Sequence, residues 1–342
     1  MLAAAACFYI INNHQIGGIH NMNIIEAIIL GIVQGLTEFL PVSSSGHLTI
    51  FQHIMGVDME GNLFFNVMLH VGTLVSVCAV YRKLILRLIK SFFALIKDLF
   101  TGKFEWSKMN GDTNLLVMLV IGLLPLFLLF APIPGAGGLN AKDLAEIWQG
   151  NTGYFIITGF ALLGTSLMLW VGVKSMENTT KKYAARTASG TPGRRRMKTV
   201  DAVCVGIAQC FAAIFPGLSR SGSTLAMGQL RGLNKQVALD YAFVLGIPSI
   251  MAAALLEAID AFQAQGTQDT LQVGTVAMVA GMVAAMIVGF FAIMLFRWML
   301  EKDRTGIFIA YTAVVGIAII IISAVELKTG NNIFSGQPLT FG

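Results

Sequence analysis

Charged side chains are scarce in this sequence of 342 residues, at 12% of the chain, whereas an ordinary soluble domain carries about 25%. Apolar residues make up 56%. A chain with so little charge is atypical of soluble globular domains, and its composition favours a polytopic membrane protein.

Cysteine is rare, and a basic leader is missing. The four cysteines, Cys7, Cys78, Cys204 and Cys210, have no cysteine or histidine at metal-ligand spacing, which argues against a zinc site and predicts small buried hydrophobic residues. Residues 1–11 are apolar but contain no lysine or arginine, and they are too short to cross a bilayer. We therefore expect residues 1–22 to be an extension outside the core, either an upstream start or a disordered tail.

Long apolar runs are what the sequence does contain. Six of them are near the length of about 20 residues that a transmembrane helix needs. They cover residues 63–81, 115–133, 153–173, 237–259, 273–296 and 306–325. Two further segments, 24–55 and 201–231, are apolar halves on either side of a stretch rich in Pro, Ser and Gly. Such a segment is typical of a re-entrant helix-turn-helix, which lies at membrane depth only where protein or a cavity covers it.

The two broken segments resemble each other. At an offset of 175 residues, Gly31-Ile-Val-Gln34 lies over Gly206-Ile-Ala-Gln209, and Pro41 and Ser44 lie over Pro216 and Ser219. Three spans follow each segment, so the second copy is inverted relative to the first. The predicted fold is an all-α polytopic membrane protein with an inverted-topology repeat, each half a re-entrant helix-turn-helix plus three transmembrane helices.

The same pattern predicts the domain organisation and the topology. We expect one membrane catalytic domain over 23–326, with repeat one at about 23–173, a basic cytoplasmic loop at 174–200 and repeat two at about 201–326, followed by a tail at 327–342. Most of the 23 lysines and arginines fall on one predicted side, which places both chain ends outside. Arg194-Arg195-Arg196 then indicates topology beside anionic lipid and not a nucleic-acid site. The amphipathic segment 84–100 is expected to lie along the inner surface.

The first motif runs from Gln34 to His47. Gln34 and Glu38 are four residues apart and share a helix face. A carboxylate at mid-bilayer costs about 2.5–3.5 kcal/mol, so Glu38 is a functional candidate, the alternative being a protonated or paired structural group. Pro41 interrupts the helix, and a half-helix starting near Ser44 would direct free N–H groups at an anion. His47 falls in its first turn, as a catalytic or as a packed residue.

The second motif runs from Phe215 to Thr224 and contains Arg220 among several hydroxyl groups. Arginine binds phosphate oxygens through a planar pair of donors. The alternative is an Arg220–Glu38 ion pair that only joins the two repeats. The hydroxyl and backbone groups expected to bind phosphate are those of Ser43, Ser45, Gly46, Gly217, Ser219, Ser221 and Thr224.

Both motifs resemble the signature motifs of the bacitracin-resistance type undecaprenyl-diphosphatases, in full and in the expected order, over about residues 23–326. The resemblance implies hydrolysis of undecaprenyl diphosphate to undecaprenyl phosphate and phosphate. Glu38, Ser44, His47 and Arg220 match the family's catalytic positions. The family's use of Mg²⁺ or Ca²⁺ implies a metal near Glu38 and Gln34. Expected partners are the polyprenyl substrate, membrane lipids and, as an open alternative, a second copy in a homodimer, but no nucleic acid. The expected location is the bacterial inner membrane, with the site facing the periplasm.

Ser44 is the first choice of nucleophile, with His47 as base and then acid; attack by water or by His47 itself stays open. The acid-phosphatase-like lipid phosphatases are a weaker match, because their His and Asp positions after Arg220 hold Ala226 and Leu230. A transporter that flips the lipid phosphate is the rival function, since inverted repeats and broken helices are transporter features. A structural scaffold gives no reason for ionisable residues at membrane depth.

Overall fold

The chain is mainly helical in the part that the computed structural model describes, which is residues 23–55, 63–106, 109–135, 137–184, 192–264 and 274–341. Within these ranges β-structure is limited to isolated bridges. The predicted all-α class is confirmed. The predicted extension, residues 1–22, lies outside the described residues.

Eleven α-helices, counted within the described ranges, follow one another along the chain. They are α1 (Ile24–Phe39), α2 (Ser44–Met55), α3 (Leu63–Phe100), α4 (Gly111–Leu123), α5 (Ala141–Gly150), α6 (Phe155–Ala184), α7 (Thr199–Ile214), α8 (Arg220–Leu230), α9 (Lys235–Ala264), α10 (Thr275–Glu301) and α11 (Gly306–Thr329). A 3₁₀ helix over Leu124–Phe130 extends α4, and a short one over Thr152–Tyr154 precedes α6.

Six of these elements are long and apolar enough to cross a membrane, as the sequence predicts. The candidate spans are Phe65–Phe100, Gly111–Phe130, Thr152–Lys181, Lys235–Leu256, Thr275–Glu301 and Gly306–Thr329. Their outward faces are apolar: Phe127 is 70% exposed and Val314 67% exposed. Large apolar side chains on the outside of so many helices are what a lipid environment requires, and the chain is a multi-pass membrane protein.

Residues 84–100, which the sequence predicts to lie along the inner surface, do not form a helix of their own. Helix α3 continues without interruption for 38 residues, from Leu63 to Phe100, a length of about 57 Å at 1.5 Å per residue. Between Gly72 and Gly102 the chain has no glycine and no proline to end it. The amphipathic segment is therefore continuous with the helix of a candidate span.

The two broken segments each consist of two short helices. Helices α1 and α2 have 16 and 12 residues, and α7 and α8 have 16 and 11. A helix of 16 residues is about 24 Å long, less than the hydrocarbon thickness of about 30 Å. The breaks contain Pro41 and Pro216, whose rings remove a backbone donor and end the preceding helix.

Glycines let the first helix of each broken segment approach a span of the other half. A β-carbon at Gly31 on α1 would collide with the carbonyl oxygen of Gly281 on α10, and one at Gly206 on α7 would collide with that of Gly122 on α4. Helices α6 and α11 cross in the same manner. A β-carbon at Gly159 would lie 3.1 Å from the carbonyl oxygen of Gly316, and one at Gly316 would lie 2.9 Å from that of Gly159. Small residues at helix crossings allow this close backbone packing in membranes.

An ion cluster fixes the start of α7, outside the six candidate spans. The carboxylate of Asp201 is buried and accepts hydrogen bonds from Arg194 Nη1 and Nη2 at 2.8 and 3.0 Å and from Arg231 Nε at 3.0 Å. Burial raises the pKa of Asp201, but the hydrogen bonds from Arg194, the Lys198 backbone and Arg231 outweigh burial and hold this pKa below its usual value. The basic loop is thereby joined to the second broken segment.

The tail packs on the helices. Asn332 Nδ2 donates to the carbonyl oxygen of His53 at the end of α2, at 2.9 Å. The Gly153 N–H, before α6, donates to the carbonyl oxygen of Thr340 at 2.7 Å. His53 and Glu326, both buried, face each other at 2.8 Å. The residues after α11 therefore connect α2, α6 and α11 at one end of the protein.

Candidate active site at the two breaks

The first break is shaped by Ser43. This residue has a φ of 73°, in the left-handed region, and its hydroxyl oxygen accepts the Gly46 N–H at 3.2 Å. Ser43 is therefore the N-cap of α2, which begins at Ser44 as the sequence predicts. The turn reverses the chain so that the first turn of α2 faces the last turn of α1.

The second break is shaped by Gly217 and Ser219. Gly217 has a φ of 103°, and a β-carbon there would lie 2.6 Å from the carbonyl oxygen of Thr158, so only glycine fits. Ser219 caps α8 by accepting the Gly222 N–H at 3.1 Å. Thr165 on α6 holds this turn in place: its hydroxyl accepts the Ser219 N–H at 2.8 Å and donates to the carbonyl oxygen of Gly217 at 3.0 Å.

The caps correct the predicted pairing of the two motifs. Ser43 and Ser45 hydroxyls are 3.3 Å apart, and so are those of Ser219 and Ser221, and each capping serine also binds the glycine N–H three residues on. Ser43 is thus the equivalent of Ser219, and the predicted match of Ser44 with Ser219 is wrong by one residue. The reason is an additional residue in the second break. Arg220 consequently occupies the position of Ser44, the first residue of its half-helix.

The two breaks touch each other. A β-carbon at Gly46 would lie 2.8 Å from the Cα of Gly217, and one at Gly222 would lie 3.2 Å from the Cβ of Pro41. The Ser221 hydroxyl donates to the carbonyl oxygen of Leu40 at 3.3 Å. The N-termini of α2 and α8 therefore converge, and with them the positive ends of two helix dipoles.

An ion pair lies at this meeting point. Arg220 Nη2 donates to Oε1 of Glu38, and Glu38 Oε2 accepts from Ser44 Oγ at 2.7 Å and from Gln34 Nε2 at 3.1 Å. The Glu38 side chain is 3% exposed and that of Arg220 27%. Among the described residues, the bond from Nη2 uses only part of the donor fork of the guanidinium, so Arg220 can bind a further anion.

His47 is held by different partners. Its Nδ1 lies 2.8 Å from the carbonyl oxygen of Ser43, and its Nε2 lies 2.6 Å from the hydroxyl of Tyr311 on α11. Four predicted residues, Gln34, Glu38, Ser44 and Arg220, thus form one network, whereas His47 forms a separate pair beside it. The hydroxyl of Ser44 is directed at Glu38 and not at His47.

The other predicted phosphate-binding residues divide into two groups. Ser43 and Ser219 use their hydroxyl oxygens as caps, and the Thr224 hydroxyl donates to the Arg220 carbonyl at 2.8 Å. These three shape the turns. Ser45 lies in the first turn of α2 and Ser221 in that of α8, where the helix N–H groups face the meeting point. The Gly46 N–H is already bound to Ser43 Oγ, so Gly46 belongs with the residues that shape the turns.

Three residues near the site were not predicted. Thr165 supports the second break, Tyr311 binds His47, and His70 on α3 is close enough to Glu38 to interact with its charge. Tyr311 lies in an apolar run, and no motif in the sequence marks it. Thr165 and His70 stand in apolar runs without a local signal.

The site has few groups that could hold a metal. The described residues contain no group of three His, Cys, Asp or Glu side chains arranged for an ion. Gln34 Oε1, however, is buried without a hydrogen-bond partner beside the Glu38 carboxylate. Mg²⁺ is commonly held by one or two carboxylates together with substrate phosphates. Gln34 and Glu38 therefore fit an ion that a phosphorylated substrate helps to bind.

These features define a multi-pass membrane protein in which two broken helices bring an ion pair, a serine and two half-helix N-termini together. The chain matches the family model described as "Bacitracin resistance protein BacA" over residues 27–318. It is 38% identical over 303 residues to the undecaprenyl-diphosphatase of Alkaliphilus metalliredigens, covering 88% of this chain and 99% of that protein. It is 35% identical over 309 residues to that of Methanosphaera stadtmanae, covering 89% and 99%. The chain belongs to the BacA family.

Proposed function

We propose that this protein hydrolyses undecaprenyl diphosphate to undecaprenyl phosphate and phosphate. The observation that carries the proposal is the network of Arg220, Glu38 and Ser44 at two converging half-helix N-termini. The undecaprenyl-diphosphatases to which the chain is similar add support over nearly their whole length. Hydrolysis would recycle the lipid carrier of peptidoglycan synthesis and thereby confer bacitracin resistance.

The diphosphate binds where α2 and α8 begin. Free N–H groups of both first turns and the guanidinium of Arg220 are directed at this point, and such donors stabilise negative charge that develops during phosphoryl transfer. Arg220 is partly exposed while Glu38 is buried, so the guanidinium is the member of the pair that meets the substrate.

Ser44 attacks the terminal phosphorus, and the bond from that phosphorus to the bridging oxygen breaks. Undecaprenyl phosphate leaves, and water then hydrolyses the phosphoserine. Glu38 accepts the Ser44 proton, a role supported by the distance of 2.7 Å. His47 is the proposed carrier of the second proton, toward the leaving oxygen or from the attacking water. Direct attack by water or by His47 remains the alternative mechanism.

Glu38 and the unpartnered Oε1 of Gln34 would hold Mg²⁺ or Ca²⁺. A bound ion would neutralise part of the negative charge of the diphosphate. The residues of the chain would still orient the substrate and move the protons.

The two halves are proposed to form an inverted repeat with re-entrant segments. In support, Gly31 of α1 meets Gly281 of the second half, and Gly206 of α7 meets Gly122 of the first. If each half is superposed on the other, the first of these contacts takes the place of the second. The contact between Gly159 and Gly316 takes its own place, because it joins equivalent helices of the two halves. Equivalent capping bonds at Ser43 and Ser219 add to this argument.

The site is proposed to open to the periplasmic side of a bacterial inner membrane, because the lysine and arginine distribution places both chain ends outside. In a cysteine-free background, the exposed positions Gln337 and Thr101 are suited to a sidedness test. Gln337→Cys should react with an impermeant thiol reagent on intact spheroplasts, and Thr101→Cys only after lysis. The opposite labelling pattern would show that the topology is the reverse of the one proposed.

The rival function is a transporter of undecaprenyl phosphate, for which the broken helices are the supporting feature. Purified protein in detergent distinguishes the two functions, because detergent leaves no sides between which to transport. We expect phosphate release from undecaprenyl diphosphate, and a lower rate after chelation of divalent cations. Absence of phosphate release with Mg²⁺ and Ca²⁺ supplied would reject the hydrolase.

A further inference from the structure

We propose that Tyr311 is a positioning residue for His47, fixing its ring and determining which nitrogen exchanges a proton. The inference rests on the proposed phosphatase function and adds a residue to it. Tyr311 comes from α11, 264 residues from His47 along the chain, and it belongs to neither signature motif.

The two contacts of His47 determine its tautomer. A backbone carbonyl oxygen only accepts hydrogen bonds, so Nδ1, at 2.8 Å from the Ser43 carbonyl, carries the hydrogen. Nε2 of the neutral ring then has a free electron pair, and it accepts the Tyr311 hydroxyl at 2.6 Å. The rings lie 5.6 Å apart and are inclined by 12°, so packing also limits rotation of the imidazole.

The second histidine of α2, His53, has a different kind of hydrogen-bond partner. His53 Nε2 faces a carboxylate, that of Glu326, at 2.8 Å. The hydroxyl of Tyr311 is instead a neutral partner, which donates to Nε2 and brings no charge to the His47 ring. The neutral partner suits His47 to proton transfer and distinguishes it from His53, which faces a carboxylate.

The location of the pair connects it to the reaction. His47 is in the first turn of α2, the turn that begins with Ser44, and only 6% of it is exposed. Tyr311 is 43% exposed. Since Nδ1 is committed to Ser43, protons can enter and leave His47 only through Nε2, on the side that the Tyr311 hydroxyl covers. Without that hydroxyl the ring can turn away from its productive orientation.

Tyr311→Phe tests this inference, because it removes one oxygen and keeps the ring. We expect kcat for phosphate release to fall by about 10-fold to 100-fold, part of the 10²–10⁴ that acid–base catalysis contributes. KM should change less than twofold. Tyr154→Phe is the matched control: its hydroxyl donates to the Phe341 carbonyl at the protein surface, and the loss should leave kcat unchanged.

A second measurement does not depend on activity. Diethyl pyrocarbonate acylates an unprotonated imidazole nitrogen, and mass spectrometry of the His47 peptide follows the reaction. Tyr311→Phe should accelerate acylation of His47 several-fold, and Tyr154→Phe should not. If Tyr311→Phe keeps both the kcat and the His47 acylation rate of the parent, the inference is wrong, although the proposed phosphatase function is unaffected. If the parent releases no phosphate, the proposed function is wrong. In that case an unchanged acylation rate of His47 in Tyr311→Phe would still show, independently, that Tyr311 does not cover His47.

Discussion

The ion pair between Glu38 and Arg220 allows stability and catalysis to be separated experimentally. Glu38 is 3% exposed and takes three hydrogen bonds, whereas Arg220 is 27% exposed. Removing Arg220 leaves a buried carboxylate without its counter-charge. Removing the charge of Glu38 leaves a guanidinium that still reaches solvent or substrate.

The expected losses of stability are therefore unequal. Arg220→Met should cost about 3–5 kcal/mol, the usual result of removing one partner of a buried pair. Glu38→Gln should cost about 1 kcal/mol, close to that of one hydrogen bond, and Glu38→Gln/Arg220→Met should recover most of the larger loss. Turnover should fall at least about 100-fold in all three variants, since each lacks a proton acceptor or a donor that stabilises charge.

Two assays on protein purified in detergent test this reasoning: thermal unfolding and phosphate release from undecaprenyl diphosphate. Arg220→Lys is the matched control, because it keeps the charge but loses the planar pair of donors. It should unfold near the parent temperature and turn over at least about tenfold more slowly. A double variant that regains turnover along with stability would show that the pair only holds the two halves together.

Three further predictions concern the turn at the first break, the ion cluster at the start of α7 and the contact of the tail with α2. Gly46→Ala should abolish turnover, because its β-carbon would lie 2.8 Å from the Cα of Gly217, whereas Gly246→Ala, with open space around it, should be neutral in the same assay. Asp201→Asn should lower the unfolding temperature at pH 7. Because the pKa of Asp201 is lowered in the folded protein, its carboxylate stabilises the fold above about pH 4, and this stabilisation is lost as the pH falls further. The difference in unfolding temperature from the parent should therefore shrink in acid, and a difference that stays constant with pH would contradict this account. Asn332→Ala removes a buried hydrogen bond to α2 and should lower stability by about 1–2 kcal/mol without changing KM, as unfolding and kinetic measurements can check.

Local patterns were sufficient to predict much of the architecture. The six spans follow from the length of the apolar runs, and the start of α2 at Ser44 follows from the preceding proline and the serine run. The spacing of Gln34 and Glu38 correctly placed both side chains on one face of α1, where they are hydrogen-bonded. Each of these features is determined by residues close together in the sequence.

The features that sequence reasoning missed depend on contacts between distant segments. Tyr311 meets His47 only because α11 packs beside the first broken segment, and Thr165 supports Gly217 only because α6 passes the second break. Helical periodicity carries no information about which helices become neighbours. The pairing of the motifs failed for a different reason, since the position of one additional residue is defined by capping bonds and not by residue identity.

The correction at the caps gives the first residue of each half-helix a special meaning. One structural position carries a hydroxyl in the first half of the chain, at Ser44, and a guanidinium in the second, at Arg220. The two breaks thus contribute complementary groups to one meeting point, a hydroxyl from the first and a guanidinium from the second. A nascent chain that has inserted only its first half already holds its serine and its carboxylate, yet the counter-charge arrives only when the second half inserts and folds. The ion pair can therefore form only after the second broken segment has been synthesised, because a shorter chain lacks the counter-charge of the buried Glu38.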